Sequence, residues 1–261
     1  MKITVCIKQV PDTNDITWNE NNTLRREGAE SIINPYDEYA LETALRIKEQ
    51  VGGKITVVSM GPKQAGDCLK EALAMGADRA FLLNDRYFSG ADTSATSRTL
   101  YYAITSKLKD TELIICGQCA TDGDTAQTGP SLAQRLNMPV VSFVKDVEEI
   151  NEEYILIKKE TDTGYERVKM QLPGVICVLK NDFEVRIPTI SQRIDTADKD
   201  IEVLDAEMIG ADADKTGFRG SPTNVSKTFR PAGRENSEIF VDKNAQEAAV
   251  ILAEKINEMR L

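Results

Sequence analysis

The sequence predicts an α/β protein: a doubly wound, mainly parallel sheet with an added antiparallel hairpin and a C-terminal arm plus helix. Three observations carry that expectation. From residue 2 to residue 144, short apolar strands alternate with amphipathic helices, the pattern of right-handed crossovers onto a parallel sheet. From about Glu148, strands follow one another without long helices between them. From about residue 210, glycines, prolines and polar residues replace the periodicity until a last helical pattern appears.

The elements follow in order. Ile3, Val5 and Ile7 alternate with Thr4, Cys6 and Lys8, so residues 2–9 read as a strand that Pro11-Asp12 ends. Asn34 suits an N-cap, Pro35 the first helical position, and Asp37 and Glu38 the positive helix end; Ala40, Leu41, Ala44 and Leu45 form the buried stripe. Lys54 to Gly61 is a strand. The helix "PKQAGDCLKEALAMGA" carries Ala65, Leu69, Ala72 and Leu73 on one face and stops at Gly76. Arg79 to Leu83 is a strand, Asp92 caps a helix to about Lys107, and Leu113 to Cys116 is a fully apolar strand. A helix to Leu136 and a strand Val140 to Val144 come next. "EYILIKKE", "YERVKMQLP" and "VICVLK" are further strands, with Asp162 to Glu166 as a hairpin turn. Residues 210–237 read as an extended arm suited to a partner. The last helix, from near Asp242, places Ala245, Ala249, Leu252, Ile256 and Met259 in one seam, which reads as packing into the chain's own core.

Composition narrows the functions. At 261 residues the chain suits one large domain with an appendage as well as two domains. An apolar share of 41% supports a sizeable core, and 28% charged residues argue against wholesale disorder. The net charge of −10, with no long basic run, excludes nucleic acid and anionic lipid as expected partners. The first ten residues alternate too strongly for a signal peptide, and no stretch reaches the length of a membrane span, so a cytoplasmic location without membrane insertion is expected. Five scattered cysteines do not form a disulfide framework. The chain has no histidine. That excludes Ser-His-Asp and Cys-His catalysis and histidine-ligated metals. No catalytic residue and no metal site is assigned, and any redox chemistry falls to a bound cofactor.

One loop stands out. "CATDGDTAQTGPSLAQRL", Cys119 to Leu136, follows an apolar strand and opens a helix. In a doubly wound sheet, ligands bind beyond the carboxyl ends of strands, and free N–H groups at a helix start attract anions. Small residues let backbone approach a ligand, and Gln127, Thr128 and Ser131 add neutral donors. Asp122 and Asp124 oppose a phosphate unless they face away, cap the helix or hold ribose hydroxyls. Spacing alone leaves two readings open: a phosphate or pyrophosphate cradle, and an ordinary connection with capping aspartates. Other motifs carry less. Cys116 and Cys119 form a CxxC with no second pair for zinc, and read as buried small residues. Gly52 to Lys54 lacks the rest of a P-loop, and Asp146 to Glu153 reads as a solvated edge. Trp18 fits a surface hairpin or a cofactor neighbour.

Together, "VCIKQVPDT", "INPYDEYALE", "VSMGP", "EALAMGAD" and "GQCATDGDTAQTGP", in that order, resemble the beta subunit of electron transfer flavoprotein, and "GYERVKMQLPGVICV" resembles that family's signature segment. The similarity spans nearly the whole chain. It implies a Rossmann-like, adenine-nucleotide-binding domain over residues 1–185. Residues 186–261 would supply a docking loop, an arm and a helix contacting the alpha subunit. It implies a heterodimer with an FAD-carrying alpha subunit and a nucleotide in the beta subunit: AMP in most members, a second FAD in the electron-bifurcating ones. The implied cofactor residues are Cys6, Lys8, Pro11, Asp12 and Thr13, Asn34 to Asp37, Met60 and Gly61, and the loop Asp122, Gly123, Asp124, Thr125, Ala126, Gln127, Thr128 and Gly129, on to Ala133. The implied docking loop, Arg186 to Ala197, places Ile190 where a leucine usually lies, followed by Ser191, Gln192 and Arg193.

Two departures favour the bifurcating branch. Thr13 stands where single-flavin members of mammalian type carry an aromatic, and "IDTADKD" replaces their lysine run; "GDTAQTGP" and "GFRGSPT" agree with that branch. The resemblance then implies hydride uptake from NADH. One electron would go to ferredoxin or flavodoxin, the other through the alpha-subunit FAD to a flavin-dependent dehydrogenase acting on an acyl-CoA or similar substrate. A non-bifurcating subunit holding structural AMP is the alternative. A stand-alone ATP hydrolase or nucleotide sensor would need a triphosphate loop with a lysine, which the sequence does not offer.

Overall fold

The computed structural model describes residues 1–12, 17–18, 24–25, 31–226, 239 and 243–259. The chain divides into two compact units, Met1–Ser226 and Lys227–Leu261. The first begins with β1 (Lys2–Cys6), β2 (Gln9–Pro11), β3 (Thr17–Trp18), β4 (Leu24–Arg25), β5 (Ser31–Ile33) and α1 (Pro35–Val51). Then come β6 (Lys54–Met60), α2 (Gly66–Met75), β7 (Arg79–Leu83), α3 (Thr93–Lys107), β8 (Leu113–Gly117) and α4 (Thr128–Leu136). It closes with β9 (Val140–Ile150), β10 (Tyr154–Thr161), β11 (Gly164–Gln171), β12 (Gly174–Val178), α5 (Ile190–Ala197) and β13 (Glu202–Leu204).

Nine strands form one sheet in the order β11-β10-β9-β12-β8-β1-β6-β7-β13. Eight strands share one direction; β10 alone runs against them and pairs antiparallel with both its neighbours, β9 and β11. β2 pairs with β5, and β3 with β4, in separate two-stranded ladders. The central strands are apolar on both faces because helices cover both. Leu41, Ala44 and Leu69 of α1 and α2 pack on Ile3, Val5 and Ile55 on one face. Leu100, Ile104 and Leu132 of α3 and α4 pack on Val58, Phe81 and Ile114 on the other. The chain leaves β1 toward β6 on one side and returns to β8 on the other. The carboxyl ends of β1 and β8 therefore flank the switch point where such sheets open a crevice.

Several elements differ from expectation for local reasons. The first strand stops at Cys6, and pairing resumes at Gln9 with Ile33. The second helix begins with a 3-10 turn, Lys63–Ala65, after extended Pro62. β9 runs on to Ile150, because Val144 to Ile150 pair with β10 through two register shifts. The acidic stretch starting at Asp146 thus lies within a paired strand and its turn. Residues 212–223, expected within an extended arm, fold back instead. Phe218 N–H donates to Ser89 O at 2.8 Å, and Thr223 N–H to Asp92 Oδ2 at 3.0 Å, the turn resting on left-handed Gly217 (φ 53°). In the second unit, α6 (Ala245–Glu258) starts with a capping box of Asn244 and Glu247. None of its described residues is buried, so the unit has no core of its own.

Candidate functional site at the fork of the sheet

Asp37 is the centre of the fork. It lies in the first turn of α1 and is 6% exposed. The N–H of Lys8, just past β1, donates to its Oδ2 at 2.7 Å, and the N–H of Gly117, ending β8, donates to its Oδ1 at 3.1 Å. One carboxylate thus ties two diverging strands to one helix. Burial pushes its pKa up to about 7, against the opposing pull of these hydrogen bonds and of Lys8. Gly117 is required here: a Cβ would stand 2.8 Å from Tyr36 Cβ and collide with the Asp37 carboxylate.

Asn34 occupies the N-cap position of α1, yet its side chain does not cap. Nδ2 donates to Cys119 O at 2.8 Å, and Thr121 N–H donates to Oδ1 at 3.2 Å. The cap residue is spent on clamping the loop. The two aspartates are likewise not caps of α4. Asp122 accepts from Lys8 Nζ at 2.6 and 2.7 Å across the mouth of the fork. Asp124 bonds the Cys119 thiol, which also meets Tyr36; burial is the main reason that thiol and the Tyr36 phenol are pushed up. Gln127 stands at the N-cap of α4 without a side-chain cap, so the first N–H groups of α4 are not consumed by one.

The loop backbone is strained. Asp124 (φ 48°) and Ala126 (φ 55°) sit in the left-handed region without being glycine. Such conformations persist where surrounding structure over-determines them, and they cluster at ligand sites. Gly123 has open space around it. Thr93, at the start of α3, donates from Oγ1 to Thr125 Oγ1 at 3.2 Å, so two helix N-termini converge on this loop. Asp92 caps α3 through Ala95 N–H at 2.9 Å and also holds Thr223.

Cys6, Lys8, Asn34, Asp37 and the loop Asp122–Thr128 are thus brought together, with Met60 and Gly61 ending β6 one strand away. Gly61 N–H donates to Leu83 O at 3.1 Å, and its carbonyl accepts from Asn84. Gly129 packs against the Cys177 thiol, and Ala133 is fully buried on the inner face of α4, so both side-chain positions belong to the helix's packing on the sheet. Pro11 lies beyond the fork, paired with Ser31, and Asp12 follows it. Thr13 lies outside the described residues, as does the side chain of Trp18. All five cysteines are free; Cys116 is buried and Cys119 half-buried. A hydrogen bond with the Cys6 thiol, then burial, pushes Cys116 well up, and burial pushes Cys177 up to about 12, which makes both poor nucleophiles.

The segment beyond β12 is built differently. Ile187, Ile190 and Ile194 are 85%, 79% and 67% exposed. Thr189 and Gln192 form a capping box, and Ser191 is exposed. Arg186 grips buried Glu42 bidentately (2.7 and 2.8 Å) and Glu49 (2.8 Å). Arg193 holds Glu71. Glu42 is not singled out by the sequence, since nothing local marks it as buried.

This architecture defines a doubly wound α/β protein of Rossmann-like class, its loop crevice at the switch point. Residues 21–208 match the electron transfer flavoprotein domain. The chain is 44% identical to an electron transfer flavoprotein subunit beta of Thermoanaerobacterium thermosaccharolyticum, over 98% of each chain. It is 41% identical to the caffeyl-CoA reductase-Etf complex subunit CarD of Acetobacterium woodii over 100% of each chain. It is 35% identical to the acryloyl-CoA reductase electron transfer subunit gamma of Anaerotignum propionicum, over 96% of this chain and 100% of that one. The chain belongs to the electron transfer flavoprotein family, among its beta subunits, and its role is electron transfer in partnership with an alpha subunit. No described helix is long and apolar enough to cross a membrane.

Proposed function

We propose that this subunit binds FAD at the fork and takes part in electron bifurcation. The observation that carries the reading is the convergence of the uncapped α4 N-terminus and the α3 N-terminus on a strained, small-residue loop. The residues fit a dinucleotide. Backbone amides at Thr128 and Gly129 suit a diphosphate, and open space at Gly123 admits a ligand against the backbone. The Lys8–Asp122 pair is neutral as a whole, so Asp122 sets no net negative charge against a phosphate at the mouth.

FAD held there would take a hydride from NADH and release its electrons singly, one toward ferredoxin or flavodoxin and one through the alpha-subunit FAD to a flavin-dependent dehydrogenase. The protein's own task is positional. Asn34 and Asp37 hold the crevice open in one geometry, and no side chain has to act as a general acid or base. Ile190 and the exposed isoleucines beside it, with Arg193 fixing their helix, would form the surface that meets the dehydrogenase. Two relatives whose names join them to acyl-CoA-type reductases support that choice of partner.

Releasing the ligand from purified native chain and recording its visible spectrum tests the reading. One FAD per beta chain is expected. A colourless chain holding AMP supports the structural-nucleotide alternative, and a chain binding neither defeats both.

A further inference from the structure

Phe143 is an aromatic residue in the left-handed region (φ 61°), and it is 48% exposed. L-residues with bulky side chains avoid that conformation, and a place that keeps one there invites a functional explanation. Register shows how it arises. Val141 faces Ile176 and Val144 faces Val178, so Ser142 and Phe143 together oppose the single residue Cys177. With regular alternation, position 143 would share the core face with Val141, and Val144 would face away. Instead Val144 fills that core at 1% exposure, and the larger ring stays outside.

The bulge is held deliberately. The Phe143 N–H donates to Gln118 Oε1 at 2.7 Å, and Gln118 is 5% exposed. Gln118 immediately precedes Cys119, whose carbonyl Asn34 clamps. On the other side, Ser142 hydrogen-bonds Cys177, whose thiol touches Gly129 in the first turn of α4. The two residues of the bulge, Phe143 through Gln118 and Ser142 through Cys177, thus tie it to both ends of the loop. Phe143 stands level with the carboxyl end of β8, about 10 Å away across two strand spacings.

Resting on the FAD reading above, we propose that Phe143 is a ring-contacting residue of the crevice, meeting the planar ring system of the bound cofactor and favouring a flavin dinucleotide over a mononucleotide. A half-exposed aromatic beside a nucleotide loop offers a π-face that a flavin can stack on and a phosphate cannot use.

The test is titration of the full chain, freed of ligand, with FAD and with AMP by calorimetry, with thermal unfolding in parallel. Phe143→Ala and Phe143→Gly should weaken FAD at least about tenfold, leave AMP within about twofold, and Phe143→Tyr should restore FAD binding. Phe143→Gly, which suits a positive φ, should not lower the melting temperature. Unchanged FAD affinity overturns the inference alone. Equal losses for FAD and AMP also overturn it, since they mark a structural role. Wild-type chain that binds neither ligand overturns this inference and the FAD reading together.

Discussion

The loop Gly117–Gln127 and the segment Arg186–Ala197 both leave the sheet, and they are held in opposite ways. The loop is fixed mainly from within, by Asn34 to Cys119 and Thr121, Gln118 to Phe143 and two N–H groups on the buried Asp37 carboxylate, with one surface ion pair, Lys8–Asp122, at its mouth. The segment is fixed by guanidinium–carboxylate pairs, buried at its root and exposed at its tip. Interior hydrogen bonds set one geometry that salt does not reach. Surface ion pairs give a placement that a partner or ionic strength can shift. A rigid crevice beside an adjustable, apolar-tipped segment suits a protein that keeps a cofactor and exchanges partners.

The strongest way to break the contrast is at the root of the segment. Arg186→Ala leaves Glu42 charged and buried, and should cost about 3–5 kcal/mol in denaturant unfolding, far above a surface pair. A loss below about 1 kcal/mol would show that the root is as loose as the tip.

The next effect is on pH. Asp37 titrates at about 7 in the folded chain, against 3.8 for the free side chain. Between those values the folded state holds more protons than the unfolded one. Its contribution to stability is full below the lower value and is lost as pH rises through about 7. The slope reaches at most about 1.4 kcal/mol per pH unit. Melting temperatures from pH 5 to 8 should fall for wild type relative to Asp37→Asn, and parallel curves would contradict the burial argument.

Asn34→Ala sharpens the comparison from the loop side. It removes two bonds and leaves Cys119 O and Thr121 N–H to water, at about 1–3 kcal/mol. Hydrogen exchange should quicken from Cys119 to Thr125 and stay unchanged at α5; equal change in both would mean that the two regions are not held separately. Smallest is Arg193→Gln, at less than about 1 kcal/mol. Exchange in α5 should rise, and added salt should mimic the substitution in wild type. Salt-independent protection of α5 would place its anchoring elsewhere.

Much of this was legible in the residues. Strand–helix alternation to residue 144, Asp92 as a cap and the loop after β8 as a ligand site candidate all follow from periodicity and turn chemistry. Pairings between distant residues were not legible. Asn34 reads as a cap, because nothing local shows that Cys119 lies against it. Asp122 reads as an obstacle to phosphate until Lys8, 114 positions earlier, neutralises it. Glu42 looks like an ordinary helix acid until Arg186 closes on it.

The sequence by itself determined the alternation of elements, the two-faced core and the small-residue loop, since these rest on side-chain size, polarity and local backbone preference. Only the tertiary structure decided which polar groups neutralise one another at the fork, and that the larger ring of Phe143 stays out of the core while Val144 goes in. Those outcomes depend on which strands become neighbours and in what register, and long-range pairing leaves no local trace.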